Sequence, residues 1–334
     1  MSLTTRVSKM SRHPGITIAM LVLLLLTILT LCANVVAQTP SAAIRHFEAG
    51  VKENKKGNFD LAIEDFTIAI EISSHPVQHA AGKRVLSNPL ARSADLDPAD
   101  EPKTITVLDP FTAVAYVNRG VARYRKGDFA RAIADCDQAI RINPRLAVAY
   151  LNRGAARRAV GDAASALIDL NRAIEIDANL AEAFVSRGDL RKHLGDVDGA
   201  LSDLDRAIAI APRLAEAYFY RGHAFIAKHD LDAAISNFNK AIKLKQNFAR
   251  AYHGRGIARV IKNELETAIG DFSRALELDP KLALAYENRG LAFLLQGKEA
   301  AARQDFVRCL TTDPSLKEDL NMRIKMAKDL HVIR

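Results

Sequence analysis

The sequence predicts an all-α protein built from stacked helix pairs, and three observations carry that prediction. The dipeptide Arg-Gly recurs every 34 residues, at Arg119-Gly120, Arg153-Gly154, Arg187-Gly188, Arg221-Gly222, Arg255-Gly256 and Arg289-Gly290. Each interval holds two apolar stripes at helical spacing with a short turn between them. Prolines 110, 144, 212, 280 and 314 close the intervals in one register. A fixed period of this size marks an array of helix pairs. No single pair buries its own apolar face, so stability has to come from stacking.

Within one unit, numbered 1 to 34 from Ala113, the first helix opens on a small or aromatic stripe. Ala113, Tyr116 and Gly120 form it, and Ala147, Tyr150 and Gly154 repeat it. Spacings of three and four place these residues on one helix face. Lys126-Gly127-Asp128 is the stop: glycine can take the left-handed conformation that ends a helix, and aspartate can cap the next one. The second helix carries Ala132, Ile133, Cys136, Ala139 and Ile140, and Asn143-Pro144 ends it. Proline disfavours helical geometry in the residue before it. Glycine at position 8 and alanine at positions 20 and 27 mark where the helices must approach closely.

Six contiguous units fill residues 111–316, and a seventh fits upstream at 43–74 through Gly50, Gly57, Ala62, Phe66 and Ala69. Between them, residues 75–110 contain five prolines and no sustained periodicity, the composition of an inserted loop. His75 and His79 could share a metal only on a helix and lack a third ligand nearby, so a solvated loop is the expectation. The tail, 317–334, keeps helical spacing at Leu320, Ile324, Ala327 and Leu330 and reads as a helix capping the last unit.

Residues 1–37 form a separate object. Arg6, Lys9 and Arg12 precede an uncharged run from Ile16 to Ala33, and Val35-Val36-Ala37 offers a cleavage site. This is the layout of a signal peptide or, if uncleaved, of an N-terminal membrane anchor. Either way the basic end stays inside and the repeats are exported. Cys136 and Cys309 fall at core positions of the first and last of the six units, too far apart for a disulfide. They are expected as small core residues. The formal net charge of +8 becomes +5 without residues 1–37, and the charges interleave in sign, which argues against nucleic acid as a partner.

Leader, seven pairs, insertion and cap account for the whole chain, leaving no room for a catalytic domain. No Gly-rich phosphate loop, His-Glu-x-x-His or Cys-x-x-Cys motif is present. The expectation is a protein that is not an enzyme, with no catalytic residue, metal or cofactor. The arginine at position 7 (Arg119, Arg153, Arg187, Arg221, Arg255, Arg289) meets an aspartate at position 23: Asp135, Asp169, Asp203, Asp271 and Asp305, with Asn237 the exception. A matched pair at fixed positions is better explained as an ion pair joining helices or adjacent repeats than as an anion site.

The aromatic at position 4 (Tyr116, Tyr150, Phe184, Tyr218, Tyr252, Tyr286), Gly at 8, Ala at 20, Ala or Cys at 27 and Pro at 32 together resemble the tetratricopeptide repeat family. Departures are His229 and Asn263 at position 15, Ala178 and Gln246 at position 32, and arginine at position 7 in place of a leucine-like residue. The resemblance implies a right-handed α-solenoid whose inner wall comes from positions 2, 5, 6, 9, 12 and 13 of each first helix. On this chain that wall includes Asn118, Tyr124, Asn152 and Arg158, then Phe219, Tyr220, His223 and Arg250, then Ile257, Ile261, Asn288, Leu291, Leu294 and Leu295.

Asparagine at position 6 can donate to and accept from a peptide backbone at once. Related repeat proteins hold peptides with such a ladder; here Ser186, Tyr220 and Gly254 interrupt it. The apolar cluster of Ile257, Val260, Ile261, Leu291, Leu294 and Leu295 would mark a binding site, unless the tail or the insertion folds over it. The resulting expectation is a non-enzymatic scaffold binding a protein or peptide in the concave groove. Its setting would be the bacterial periplasm, or the periplasmic face of the inner membrane, touching membrane only through a retained N-terminal segment. An accessory arm of a glycosyltransferase-like or other envelope enzyme is the alternative. A carboxylate-clamp cochaperone ranks lower, because only Arg250 fits the basic positions such a clamp needs.

Overall fold

A computed structural model describes residues 41–74 and 110–332, which form 15 α-helices and no strand. The leader or anchor at 1–37 and most of the insertion, His75 and His79 included, lie outside the described residues. Among the described residues no helix is long and apolar enough to cross a membrane. Contacts divide the chain into two compact units, residues 1–156 and 157–334.

The first unit holds α1 (Ser41–Lys56), α2 (Phe59–Ser74), α3 (Pro110–Lys126), α4 (Phe129–Ile142) and the start of α5 (Ala147–Ala159). Helices α1 and α2 pair, as do α3 and α4, and α2 packs on α3. Thr112 Oγ1 donates to Ser73 Oγ at 3.0 Å across that contact. The insertion therefore interrupts the sequence without interrupting the stack. Helix α3 starts on Pro110, one residue before the expected boundary, since proline is tolerated in the first turn.

In the second unit, α6 (Ala163–Ile176) leads into four hairpins: α7 (Ala181–His193) with α8 (Val197–Ile210), α9 (Ala215–Ala227) with α10 (Leu231–Leu244), α11 (Ala249–Ile261) with α12 (Leu265–Leu278), and α13 (Ala283–Leu295) with α14 (Glu299–Thr312). A 3-10 turn, Pro314–Leu316, then opens α15 (Lys317–Val332). Each second helix packs on the first helix of the next hairpin, and the first helices α7, α9, α11 and α13 touch in series. They form one continuous wall, and α15 takes the next place beside α13.

Local chemistry sets these boundaries. The turn glycines Gly57, Gly127, Gly161, Gly195 and Gly297 adopt φ between 75° and 88°, and His229 (60°) and Asn263 (65°) enter the same region despite their Cβ atoms. Asp128, Asp162, Asp196 and Asp230 cap the following helices by accepting from backbone N–H groups three residues on. Such a cap contributes about 1 kcal/mol. At the close approach, a Cβ on Gly256 would lie 2.6 Å from the Phe272 ring, so the larger ring excludes any larger residue. Facing it, Ala268 is 0% exposed. Among the described residues, Cys136 and Cys309 are buried and outside any disulfide, and burial pushes the Cys309 thiol up to about 11.

The arginine at position 7 makes two joints. Toward its own hairpin, Arg119 meets Asp135 at 2.7 Å, Arg187 meets Asp203 at 2.6 Å, Arg255 meets Asp271 at 2.6 Å and Arg289 meets Asp305 at 2.7 Å. Arg221 instead donates to Asn237 Oδ1 at 2.8 Å. Its other end reaches position 25 of the preceding hairpin: Arg119 donates to Thr67, Arg153 to Asp137, Arg187 to Asn171, Arg221 to Asp205, Arg255 to Asn239 and Arg289 to Ser273, all within 2.6–3.0 Å. The position-4 ring lies beneath each guanidinium, 5.2–5.8 Å away.

A second arginine, four residues on, backs up the buried aspartate in four hairpins: Arg123 on Asp135, Arg157 on Asp169, Arg191 on Asp203 and Arg259 on Asp271, at 2.7–3.0 Å. Phe225 and Phe293 stand at that position in the other two. Asn237, opposite Phe225, carries no charge to balance. Asp305, opposite Phe293, pairs with Arg289 alone among the described residues.

Candidate functional site

The wall of first helices in the second unit carries a polar and aromatic strip. On α7, Asp189 is 3% exposed and holds Arg158 at 2.6 Å and Lys192 at 3.3 Å. On α9, the Phe219 ring lies 5.0 Å from Tyr220 and 4.7 Å from His223, and it packs on Phe248 of the next loop at 5.0 Å. The Arg250 guanidinium sits 4.9 Å from the Phe219 centroid and makes no ion pair among the described residues. A cation over an aromatic face contributes about 0.5–2 kcal/mol and leaves the donor groups free for a ligand.

Two histidines lie in the strip as neutral groups. Burial, reinforced by the Lys192 cation, pushes His223 down to about 3. Burial also pushes His253 down to about 4, and its Nε2 lies 2.9 Å from Asn288 Nδ2. At the end of the strip, Glu287 of α13 is 0% exposed. Its Oε1 accepts from Arg323 Nη1 of α15 at 2.5 Å, while Arg323 Nη2 donates to Asn288 Oδ1 at 2.9 Å. Burial raises the Glu287 carboxyl, against the opposing pull of Arg323.

The expected groove residues fall into distinct places. Asn118 and Asn152 in the first unit, and Asn288 in the second, each donate Nδ2 to the carbonyl four residues back in their own helix, at 2.7–2.9 Å. One amide hydrogen of each is thereby spent at home. Tyr124 is 38% exposed and packs on Phe129 with centroids 5.3 Å apart. Ile261 is 50% exposed, whereas Ile257 packs into the Ala268, Phe272 and Ala292 core.

Three expectations need correction. Leu291 and Leu294 are not open groove residues but 9% and 6% exposed, and with Leu295 they pack against Ile324 and Ala327 of α15. The physical reason is that the last hairpin would otherwise present an unpartnered apolar stripe, and the tail supplies the missing neighbour. Phe219, at 3% exposure, is the floor beneath Arg250 rather than a contact surface. Asn288 is taken up by Arg323 and His253, so no free asparagine stands at the end of the wall.

Sequence reasoning also missed the Glu287–Arg323 pair and the second arginine at positions 123, 157, 191 and 259. The signal for the second arginine was its own recurrence. For the pair it was an arginine inside the otherwise apolar stripe of Leu320, Ile324 and Ala327.

No curated protein matches the chain in sequence. Residues 113–146 match the tetratricopeptide repeat family, and residues 222–260 and 258–297 match a further TPR repeat description. Among solved structures, a tetratricopeptide repeat protein from Parabacteroides merdae superposes with a TM-score of 0.59 at 18% identity, covering 86% of this chain and 99% of that one. PilW, a widely conserved type IV pilus biogenesis factor, superposes with a TM-score of 0.56 at 17% identity, over 63% of this chain and 97% of that one. A chain of the APC/C hetero-tetramer Cut9–Hcn1 gives a TM-score of 0.59 at 18% identity over 64% of this chain, which spans 42% of that chain's length. At these identities the likeness bears on fold alone. Repeat register, matched residues and superposition agree: the chain carries tetratricopeptide repeats, and its described residues form an all-α solenoid of helix hairpins.

Proposed function

We propose that this protein is a non-enzymatic scaffold that seats a segment of a partner protein on the first-helix wall of its second unit. The observation that carries the reading is Arg250 lying unpaired over Phe219, beside Tyr220 and the neutral His223. An exposed cation on a rigid aromatic floor, with tyrosine alongside, offers charge and large contact area at low entropic cost. Those are the properties of residues that dominate protein interfaces. The layout of residues 1–37 supports an exported, envelope setting.

A photo-crosslinking amino acid placed at Tyr220 and at Arg250, followed by mass spectrometry of the adducts, tests this in cells. Adducts to one other protein from both positions are the expected outcome. Adducts only within the chain itself would remove the proposal.

A further inference from the structure

The place of an eighth first helix is taken by α15, which turns Leu320, Arg323, Ile324 and Ala327 toward the last hairpin. Of its described side chains only Leu320 (1%) and Ala327 (7%) are buried, while Met322 (57%) and Met326 (58%) face water. Beneath it lies Glu287, wholly buried, with Oε1 bonded to Arg323 and Oε2 without any hydrogen-bond partner. Asn288 accepts the second Arg323 bond and links on to His253. Buried carboxylate oxygens are normally satisfied, and a guanidinium fork can satisfy two at once. Arg323 divides its fork between Glu287 and Asn288 and leaves half of the acid unmet. The slot is thus built for an arginine and filled by one that fits it incompletely.

We propose that Glu287, Asn288 and His253 form an arginine-recognition slot, which α15 fills as a displaceable stand-in for an arginine-bearing amphipathic helix of the partner protein. This deepens the scaffold reading and rests on it, since it treats the first-helix wall as the binding face. The partner's helix would carry apolar residues three before, one after and four after its arginine. This is the pattern of Leu320, Arg323, Ile324 and Ala327, the spacing used by helices that lie in grooves. Its fork would take both Glu287 oxygens. Helix α15 is suited to withdraw, because it is held on one face, while α13 and α14 remain paired without it. Tethering gives it a high local concentration, so a partner must bind the slot better than α15 does.

The test uses the full chain and, as probe, a fluorescent synthetic peptide with the sequence of residues 317–332, read by anisotropy. Arg323→Ala should bind the probe about tenfold more tightly than the wild type, the scale of one hydrogen bond to a charged group. Adding Glu287→Gln should abolish the gain, and a probe with alanine for its arginine should bind no variant. Arg323→Lys provides a second route that does not depend on Arg323→Ala folding: it keeps the charge, loses the fork, and should show a smaller gain in the same direction. Equal affinity for wild type and both variants, or a gain that survives Glu287→Gln, overturns the slot. Concentration-dependent dimers of Arg323→Ala in light scattering would assign the slot to a second copy's α15 and overturn the partner assignment. Crosslinks lost at Tyr220 and Arg250 would sink the broader reading while leaving the peptide result intact.

Discussion

Replacing Arg289 by alanine should destabilise the protein far more than replacing Arg187, although both remove the same side chain from the same register. Arg289 donates Nε to Asp305 Oδ2 at 2.8 Å and Nη2 to Oδ1 at 2.7 Å, and Asp305 is 4% exposed. Without Arg289 the buried carboxylate has no counter-charge, because Phe293 stands where the second arginine would be. Stranding a buried charge costs about 3–5 kcal/mol. In α7 the same deletion leaves Asp203 bonded to Arg191 at 3.0 Å, so the loss reduces to hydrogen bonds made to a charged group, about 1.5–3 kcal/mol. The expected gap is about 2 kcal/mol. Urea denaturation followed by circular dichroism gives the totals. Hydrogen exchange of the α13 and α14 amides localises the loss, which matters because repeat arrays need not unfold in one step. Losses equal within about 0.5 kcal/mol, or a larger loss at Arg187, would refute the argument that the second arginine rescues the aspartate.

Replacing His229 by glycine should stabilise the chain by about 0.5 kcal/mol, the left-handed strain relieved less the entropy glycine adds to the unfolded state, read as a higher denaturation midpoint. Asn263→Gly should gain less, because asparagine tolerates that conformation. Gly256→Ala should cost about 1–3 kcal/mol by driving a methyl into the Phe272 ring, measured in the same assay. His223 and His253 should make stability fall with acid. Their folded values, about 3 and about 4, lie below the ordinary histidine value, so the unfolded chain binds more protons as pH drops below about 6.5. Stability from these groups is present above that point and lost on going down toward about pH 4 for His253 and about pH 3 for His223. His223→Phe should flatten the slope between about pH 6 and 5 by roughly 1.4 kcal/mol per pH unit, and an unchanged slope would contradict a buried neutral imidazole.

Most of the fold was legible in the sequence because its determinants are local and recur. The turn glycines, the capping aspartates and Ala132 with its equivalents each act within one hairpin, and repetition separates them from chance. His229 and Asn263 show the limit of that logic: they hold the turn at a strain that only backbone geometry reveals. The candidate site was less legible. Which first-helix positions face the wall could be carried over by register, yet whether a neighbour covers them depends on elements that do not repeat. Whether Leu291 and Leu294 are open or covered by the tail was not legible, because their cover comes from α15, whose sequence follows no unit. Nothing in the repeat marks Glu287 as buried, because its partner Arg323 reaches it from 36 residues away. Arg123, Arg157, Arg191 and Arg259 could have been found by the period that revealed Arg119 and its equivalents, but their aspartates already had a partner on paper.

The two-ended arginine has an evolutionary corollary. Each joint needs position 7 of one hairpin and position 25 of the hairpin before it, so any 34-residue copy carries one half of two different joints. Duplicating or excising a whole copy reconnects those halves without a new mutation, whereas a change of another length inside a helix puts a position-7 arginine out of register with its position-25 partner. The array can therefore lengthen or shorten in quanta of one hairpin, and the same chemistry that holds it together dictates the size of the step.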